Sequence, residues 1–458
     1  MSLTARRDAT ARPLEPVLSR LLPLAIPLAL GKSTEAVRAF VDALVVAPLG
    51  HAPLAAVTTG AADLYILIVL LTGIVTIIET YAAQTAGTGD LAATQRYGWY
   101  GIVIALASTL LTLALTPATP ALVSLLGYRP ELQRDITGFI QLRLLGVGAV
   151  VGFESLGHWF SGVGRTRIYL AAALFTIPVH GVLDWLLVHG HCGLPALGVR
   201  GAALSGATTM WLAFAALFMT FRHRAARSGR TSRLRCAELR STLRFGLPVG
   251  VSWMLEYGAL ATILNYAILP LGTTTLAAVN SAYSICYVSS LVSWGLASGG
   301  AILVGQAIGR GARHEVPRII GVTTLTVLFT ELAVGAAFWI GSEAIMSWFA
   351  AEIAHDGEMV YRTITILRLV LTWQICDTLA LSLAEALRGA GDTFWVMAVR
   401  ASLTWLGLVP AAVVCVYSLH LGYAAVLACL IGNGLILVLA FSLRLRNHAW
   451  TGIVPTLR

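Results

Sequence analysis

Charge is what this sequence has least of. Asp, Glu, Lys and Arg make up 12% of its 458 residues, about half of the ~25% usual for soluble domains. A soluble globule of this size needs charge for the surface it cannot bury, and a disordered chain needs still more, so both are excluded. Lysine is nearly absent: Lys32 is the single one, and every other basic residue is Arg. Cysteine is sparse. Cys192, Cys236, Cys286, Cys376, Cys415 and Cys429 form no C-x-x-C pair, and most lie in apolar runs. They are expected to be small core hydrophobes, without a zinc site or a disulfide framework. A G-x-x-x-x-G-K-[ST] phosphate loop, H-E-x-x-H and G-x-S-x-G are missing too, which removes the support for ATP drive and weakens a protease or hydrolase reading. No cofactor is expected.

The rest of the chain is apolar. Hydrophobic residues make up 57%, and the mean hydropathy is +0.80. At ~20 apolar residues per membrane helix and roughly 35–40 per helix plus loop, this length holds about twelve spans. Apolar stretches fall at 20–47, 54–84, 97–118, 136–157, 168–189 and 201–221, then at 246–269, 276–307, 319–340, 359–386, 394–418 and 423–443. No cleavable site follows the first of them, which is expected to be a retained helix. The chain reads as an all-α polytopic membrane protein. Its expected parts are a tail (1–19), an N-lobe of six helices (20–221), a basic linker (222–244), a C-lobe of six helices (245–443) and a second tail (444–458).

A net charge of +9 and a pI near 9.5 would suggest nucleic acid in a soluble protein. Here the arginines report topology, and no nucleic-acid partner is expected. With the N-terminus inside, inner loops carry Arg96, Arg165, Arg167, the eight linker arginines from Arg222 to Arg244, Arg310, Arg313, Arg318, Arg388, Arg444 and Arg446. Outer loops carry Arg129, Arg134 and Arg200, and one holds Glu343, Glu352 and Asp356. That asymmetry is expected to put both termini in the cytoplasm, and a bacterial plasma (inner) membrane is the expected location.

The two halves repeat. Shifting residues 48–89 by 222 gives twelve identities in forty-two positions without a gap. Pro48-Leu49-Gly50 meets Pro270-Leu271-Gly272, Leu54-Ala55-Ala56-Val57 meets Leu276-Ala277-Ala278-Val279, and Gly73, Gln84, Gly87 and Gly89 meet Gly295, Gln306, Gly309 and Gly311. Gln141-Leu142-Arg143-Leu144 resembles Ile366-Leu367-Arg368-Leu369, and Gly162-Val163-Gly164 resembles Gly389-Ala390-Gly391. Six helices return a chain to its starting side. The lobes are therefore expected to be related by a pseudo-two-fold axis along the membrane normal, with a cavity between them. That architecture suits alternating access, and a channel or a membrane-embedded enzyme does not need it.

Carboxylates inside the spans are costly and are functional candidates by default: Glu35, Asp42, Asp63, Glu79, Glu154, Asp184, Glu256, Glu331, Asp377 and Glu385. Glu256 lies eight residues after Pro248 with no basic residue nearby in sequence. It can exchange a proton or hold sodium, and Asp377 can share that site. Lys32, Glu35, Arg38 and Asp42 form one stripe, in which Arg38 is expected to pair with Asp42. Asp184 has His180 one turn before it, a pair able to bind a cation or relay protons. Glu79 and Glu154 are expected to anchor the inner ends of their helices, Glu385 to pair with Arg388, and Glu331 to lack a basic partner. Tyr257, Tyr283, Tyr287, Trp294 and Trp373 can meet organic cations through their ring faces, although each taken singly reads as packing or interfacial anchoring.

These motifs resemble the multidrug and toxic compound extrusion (MATE) family. Asp42 through Gly50 with Leu54-Ala55-Ala56-Val57 is similar to the family's helix-one aspartate and the turn that follows. Glu79-Thr80 with Ala83-Gln84 and Gly87 resembles the helix-two end. Gly193-Leu194-Pro195-Ala196-Leu197-Gly198-Val199 resembles the helix-five–six turn. Leu247-Pro248 through Glu256, Leu303-Val304-Gly305-Gln306, and Asp377 followed by Leu387-Arg388-Gly389-Ala390-Gly391-Asp392-Thr393 continue the likeness through the second half. The resemblance implies a secondary antiporter that exports organic, often cationic and amphipathic, small molecules against an inward sodium or proton flow. It implies a C-lobe cation site at Glu256 and Asp377, with sodium a candidate there, and N-lobe coupling acids at Asp42 and Asp184. It does not choose between them. Glu35, His180, Tyr283, Glu385 and Asn280 stand as further substrate or relay residues. The chain departs from the family pattern at the charged stripe Lys32, Glu35 and Arg38, which argues against a simple N-lobe proton site, and at Val279-Asn280, Ala380 and Arg165. A monomer in the lipid bilayer is expected. The alternatives are a related flippase, a dedicated metabolite exporter or, from another class, a membrane-embedded enzyme. The acids facing the cavity favour cationic cargo over the first of these.

Overall fold

The computed structural model describes residues 16–227, 233–342 and 357–452. Among them run twelve long helices. The first six are α1 (Val17–Val46), α2 (His51–Thr88), α3 (Leu91–Ser124), α4 (Pro130–Gly162), α5 (Thr166–His189) and α6 (Val199–Arg227). The second six are α7 (Cys236–Leu271), α8 (Thr273–Gly309), α9 (Val316–Ile340), α10 (Gly357–Ala390), α11 (Thr393–Tyr417) and α12 (Tyr423–Arg446). Eleven are long and apolar enough to cross a bilayer. The twelfth is α1, whose 30 residues include Arg20, Lys32, Glu35, Arg38 and Asp42.

Helices α2, α4 and α8 reach 38, 33 and 37 residues, well beyond the ~20 a bilayer needs. Helices also run into the basic linker from both sides, so only residues 233–235 of it are non-helical among the described ones. The acids Glu343, Glu352 and Asp356, the outermost tail residues and linker residues 228–232 lie outside the described residues. Two of the six cysteines depart from the expectation of a core role: Cys192 and Cys236 are exposed, because they sit in a turn and at a helix start.

The sequence repeat is also a repeat of backbone geometry. Gly50 and Gly272, which precede α2 and α8, have φ of 112° and 115°, and Gly89 and Gly311, which follow them, both have 78°. These are left-handed values that side chains resist, so the matched glycines fix matched turns. The two lobes also clasp each other symmetrically at the linker-side end. Gln84 Nε2 donates to Gly389 O at 3.1 Å, and its repeat partner Gln306 Nε2 donates to Gly162 O at 3.2 Å. Between them Gly87 and Gly309 meet, and a Cβ built on either would lie 3.0 Å from the other's Cα.

The N-lobe holds one continuous apolar core. The C-lobe holds two, one at the linker side from Leu296, Val327, Ala380 and Phe441, and one at the far side from Ile263, Cys286, Leu371 and Leu427. The layer between these two cores contains Asp377, Ser289 and Ser293.

Candidate functional site

The N-lobe charges form a connected network. Lys32 on α1 reaches Glu154 on α4 at 2.7 Å and Glu35 at 3.6 Å, and its ammonium lies 5.3 Å from the centre of the Trp294 ring. His158, one turn along from Glu154, approaches it at 3.8 Å and contacts Glu79 on α2 through Nδ1 at 2.9 Å. The other Glu79 oxygen accepts from Ser298 of the C-lobe at 2.7 Å. Glu79 and Glu154 are therefore buried members of a polar chain, not anchors at helix ends. Depth read from the end of a long helix misplaced them. Beside Glu79 lies a cavity of about 20 Å³, lined in part by His158, Ser298, Glu385 and Arg388, enough for about one water molecule. Glu385 does pair with Arg388, at 2.6 Å.

A second cluster sits further along α1 and α5. His180 Nε2 lies 3.1 Å from Asp42 Oδ1 and 3.3 Å from Asp184 Oδ2. Its Nδ1 faces the Ser205 hydroxyl at 3.3 Å and that of Thr209 at 3.5 Å. One ligand atom from each of Asp42, His180 and Asp184 lies within 4.8 Å of the others. Asp184 is 0% exposed, and neither of its oxygens finds a hydrogen-bond donor of good geometry among the described residues. Two carboxyl groups and one imidazole this close can hold a proton or a cation between them. Arg38 does not pair with Asp42, as its place in the stripe suggested. It donates to Thr176 Oγ1 at 2.8 Å, and His180 takes Asp42 because α5 packs along that face of α1.

In the C-lobe, Glu256 on α7 and Asp377 on α10 do come together, around a residue the sequence reading left out. Arg400 on α11 brings one nitrogen, Nη2, to 2.8 Å from Glu256 Oε1 and 2.9 Å from Asp377 Oδ1. The guanidinium is buried, with 4% of its side chain exposed, and the two acids keep 36% and 34% of theirs. Trp405 Nε1, also on α11, donates to Leu255 O at 3.0 Å and ties the same stretch of α7. Glu331 lies in this layer too, with Ser293 donating at 2.5 Å and Ser289 at 3.5 Å. An aromatic wall stands nearby: Tyr283 stacks on Trp373 with ring centres 5.9 Å apart, Tyr287 lies 6.2 Å from Tyr283, and Tyr257 meets Tyr65 edge-on at 5.1 Å. Asn280 is exposed, and its side chain makes no hydrogen bond among the described residues.

The sequence model of the MatE family matches residues 27–186 and 248–413, most of both lobes. The chain belongs to the MATE family. It is a membrane transporter, not an enzyme. The probable multidrug resistance protein NorM of Bradyrhizobium diazoefficiens is 27% identical over 428 residues, 88% of this chain and 87% of that one. NorM of Xanthomonas axonopodis pv. citri is 25% identical over 376 residues, 81% of each chain. Among solved structures, the eukaryotic MATE transporter AtDTX14 superposes with a TM-score of 0.84 at 17% identity, over 95% of this chain and 97% of that one. A multidrug resistance MATE transporter of the MOP superfamily in its outward-facing conformation gives 0.82 at 18%, over 96% and 98%. The MATE fold and its two lobes are therefore those of this chain. The Asp42–His180–Asp184 cluster and the Arg400 triad lie one in each lobe.

Proposed function

We propose that this MATE transporter is a secondary antiporter of a bacterial inner membrane, with both termini cytoplasmic. It exports organic, cationic or amphipathic compounds in exchange for an inward ion flow. The observation that carries the reading is the largely buried Asp42–His180–Asp184 cluster, in which one imidazole lies 3.1 and 3.3 Å from the two acids. Burying two carboxylates is costly unless a positive charge joins them, so this cluster gains from binding a cation in one state and releasing it in another. A proton suits it best. Imidazole is a proton acceptor at physiological pH, and it is not the hard oxygen ligand that alkali and alkaline-earth ions prefer. Glu256 and Asp377 keep a third of their surface open beside Tyr283 and Trp373. They receive the cationic group of the cargo with help from the ring faces. The name multidrug resistance protein borne by the NorM relatives supports a broad cargo range.

The test is transport of the fluorescent monocation ethidium in proteoliposomes of the full chain. A pH gradient without sodium is expected to drive it, and Asp42→Asn and Asp184→Asn each to reduce it to the level of protein-free liposomes. Unchanged transport in both variants removes the cluster from the mechanism. Export of a single metabolite and no drug-like cation points to the dedicated exporter instead.

A further inference from the structure

We infer that Arg400 is a tethered counter-cation which fills the cation position between Glu256 and Asp377 and keeps sodium out of the C-lobe site. The inference rests on the exporter reading for the role of the site, and on the geometry around its guanidinium for the role of Arg400. Its geometric core is that one nitrogen serves both acids. Nη2 stands 2.8 Å from Glu256 Oε1 and 2.9 Å from Asp377 Oδ1, the position an ion shared by the two carboxylates would take.

Three properties make that occupancy persistent. A guanidinium stays protonated at any physiological pH, so it does not yield its place by losing a proton. It is buried at 4% side-chain exposure, and pushing it off the acids would leave an unpaired charge inside the protein. It is also fixed to α11, and α11 is tied to the acid-bearing stretch of α7 by the Trp405–Leu255 hydrogen bond at 3.0 Å. That bond occupies a lone pair of a backbone carbonyl next to Glu256, an oxygen that could otherwise join the shell of a hard cation, which takes several oxygen ligands. The neighbouring acid Glu385 is held by Arg388 at 2.6 Å and supplies no further ligand.

Two carboxylates and one guanidinium leave a single negative charge on a site whose acids are about one-third exposed. A bare pair would carry two. The triad therefore accepts one singly charged head group from the cavity side and has no vacancy for an inorganic cation beside it. Arg400 sets ion selectivity by occupying the site, so it is a specificity-determining residue.

The decisive measurement is the thermal melting of the purified full-length protein in sodium chloride against potassium chloride at equal ionic strength. Wild type, Asp377→Asn, Arg400→Lys, Arg400→Gln and Arg400→Gln/Asp377→Asn would be compared. Wild type and D377N are expected to show the same sodium response. R400Q is expected to gain a sodium-specific rise of about 3–5 °C at saturation, lost again in R400Q/D377N, while R400K behaves as wild type. A saturable sodium stabilisation of wild type that D377N abolishes overturns the inference. The wild-type and D377N comparison decides the question even if R400Q does not fold, since D377N keeps the Arg400–Glu256 pair. Ethidium transport separates the two readings. Absence of export under any gradient defeats the exporter reading and leaves the sodium response to judge Arg400. Export driven by sodium at equal pH, through Asp377, defeats the Arg400 inference and leaves the exporter standing.

Discussion

Lys32→Met is expected to destabilise the protein by about 3–5 kcal/mol, the cost of removing one partner from a buried ion pair. Lys32 is the chain's single lysine. It holds Glu154 at 2.7 Å with Glu35 at 3.6 Å, and Glu154 is only 5% exposed at its side chain. Without the ammonium, the ion-pair contact left to Glu154 among the described residues is the 3.8 Å approach of His158, and His158 is already committed to Glu79 at 2.9 Å. The damage should spread along that chain toward Ser298 and the opposite lobe. Adding Glu154→Gln removes the stranded charge, so the double variant should recover more than half of the loss. Thermal melts of the two single variants and the double variant close the cycle. If the double variant is no more stable than K32M, packing of the lysine stem against Trp294 and not the charge pair holds this layer together.

Most of the fold was legible because a bilayer imposes one strong rule on sequence. Each span must be apolar over ~20 residues and satisfy its backbone internally. That rule separates the twelve apolar stretches without knowledge of packing, and the glycines matched across the repeat then mark the turns. The same rule blurred depth. In helices of 33 and 38 residues the distance from a helix end does not give the distance from water, so Glu79 and Glu154 read as anchors although both are buried.

The site was half legible. Acids stand out against an apolar background, and Glu256, Asp377, Asp42 and Asp184 do gather in two clusters. Their partners were hidden, because Glu256 and Arg400 are 144 positions apart and Lys32 and Glu154 are 122 apart, and local spacing carries no information at that range. A usable signal was nevertheless present. Arg400 interrupts the run Trp395-Val396-Met397-Ala398-Val399 and Ala401-Ser402-Leu403, and an arginine at that depth is as costly as a carboxylate. Weighing basic residues in the spans by the same rule as acids would have flagged it. The stripe on α1 misled in the opposite way. A four-residue spacing is worth only about 0.2–0.5 kcal/mol per pair, too little to hold Arg38 against the hydroxyl of Thr176 or Asp42 against His180.

Gly309→Ala is expected to break the linker-side clasp and shift the transporter toward states in which those helix ends are apart. A Cβ at Gly309 would run into the carbonyl oxygen of Gln84 and lie 3.0 Å from the Gly87 Cα. Both obstacles are backbone, so neither can swing aside as a side chain does. Relief requires α2 and α8 to separate, and that separation also stretches the Gln84–Gly389 and Gln306–Gly162 hydrogen bonds. Overpacking of this kind costs about 1–3 kcal/mol, and it is charged to the clasped state alone. The balance between clasped and open states should therefore move by about 5–150-fold. Alternating access needs both states, so export should fall along with the shift. Spin labels at Leu91, exposed at the start of α3, and at Arg313, exposed in the turn before α9, on a background lacking the native cysteines, report the gap between the lobes. The distance distribution should move to longer values in G309A. In the control Gly89→Ala, whose added Cβ meets nothing within 4 Å, the strain stays local to one turn and the distance should hold. An unchanged distance in G309A would mean that the helices absorb the methyl group without parting, and that the paired glycines serve packing and not the movement of the lobes.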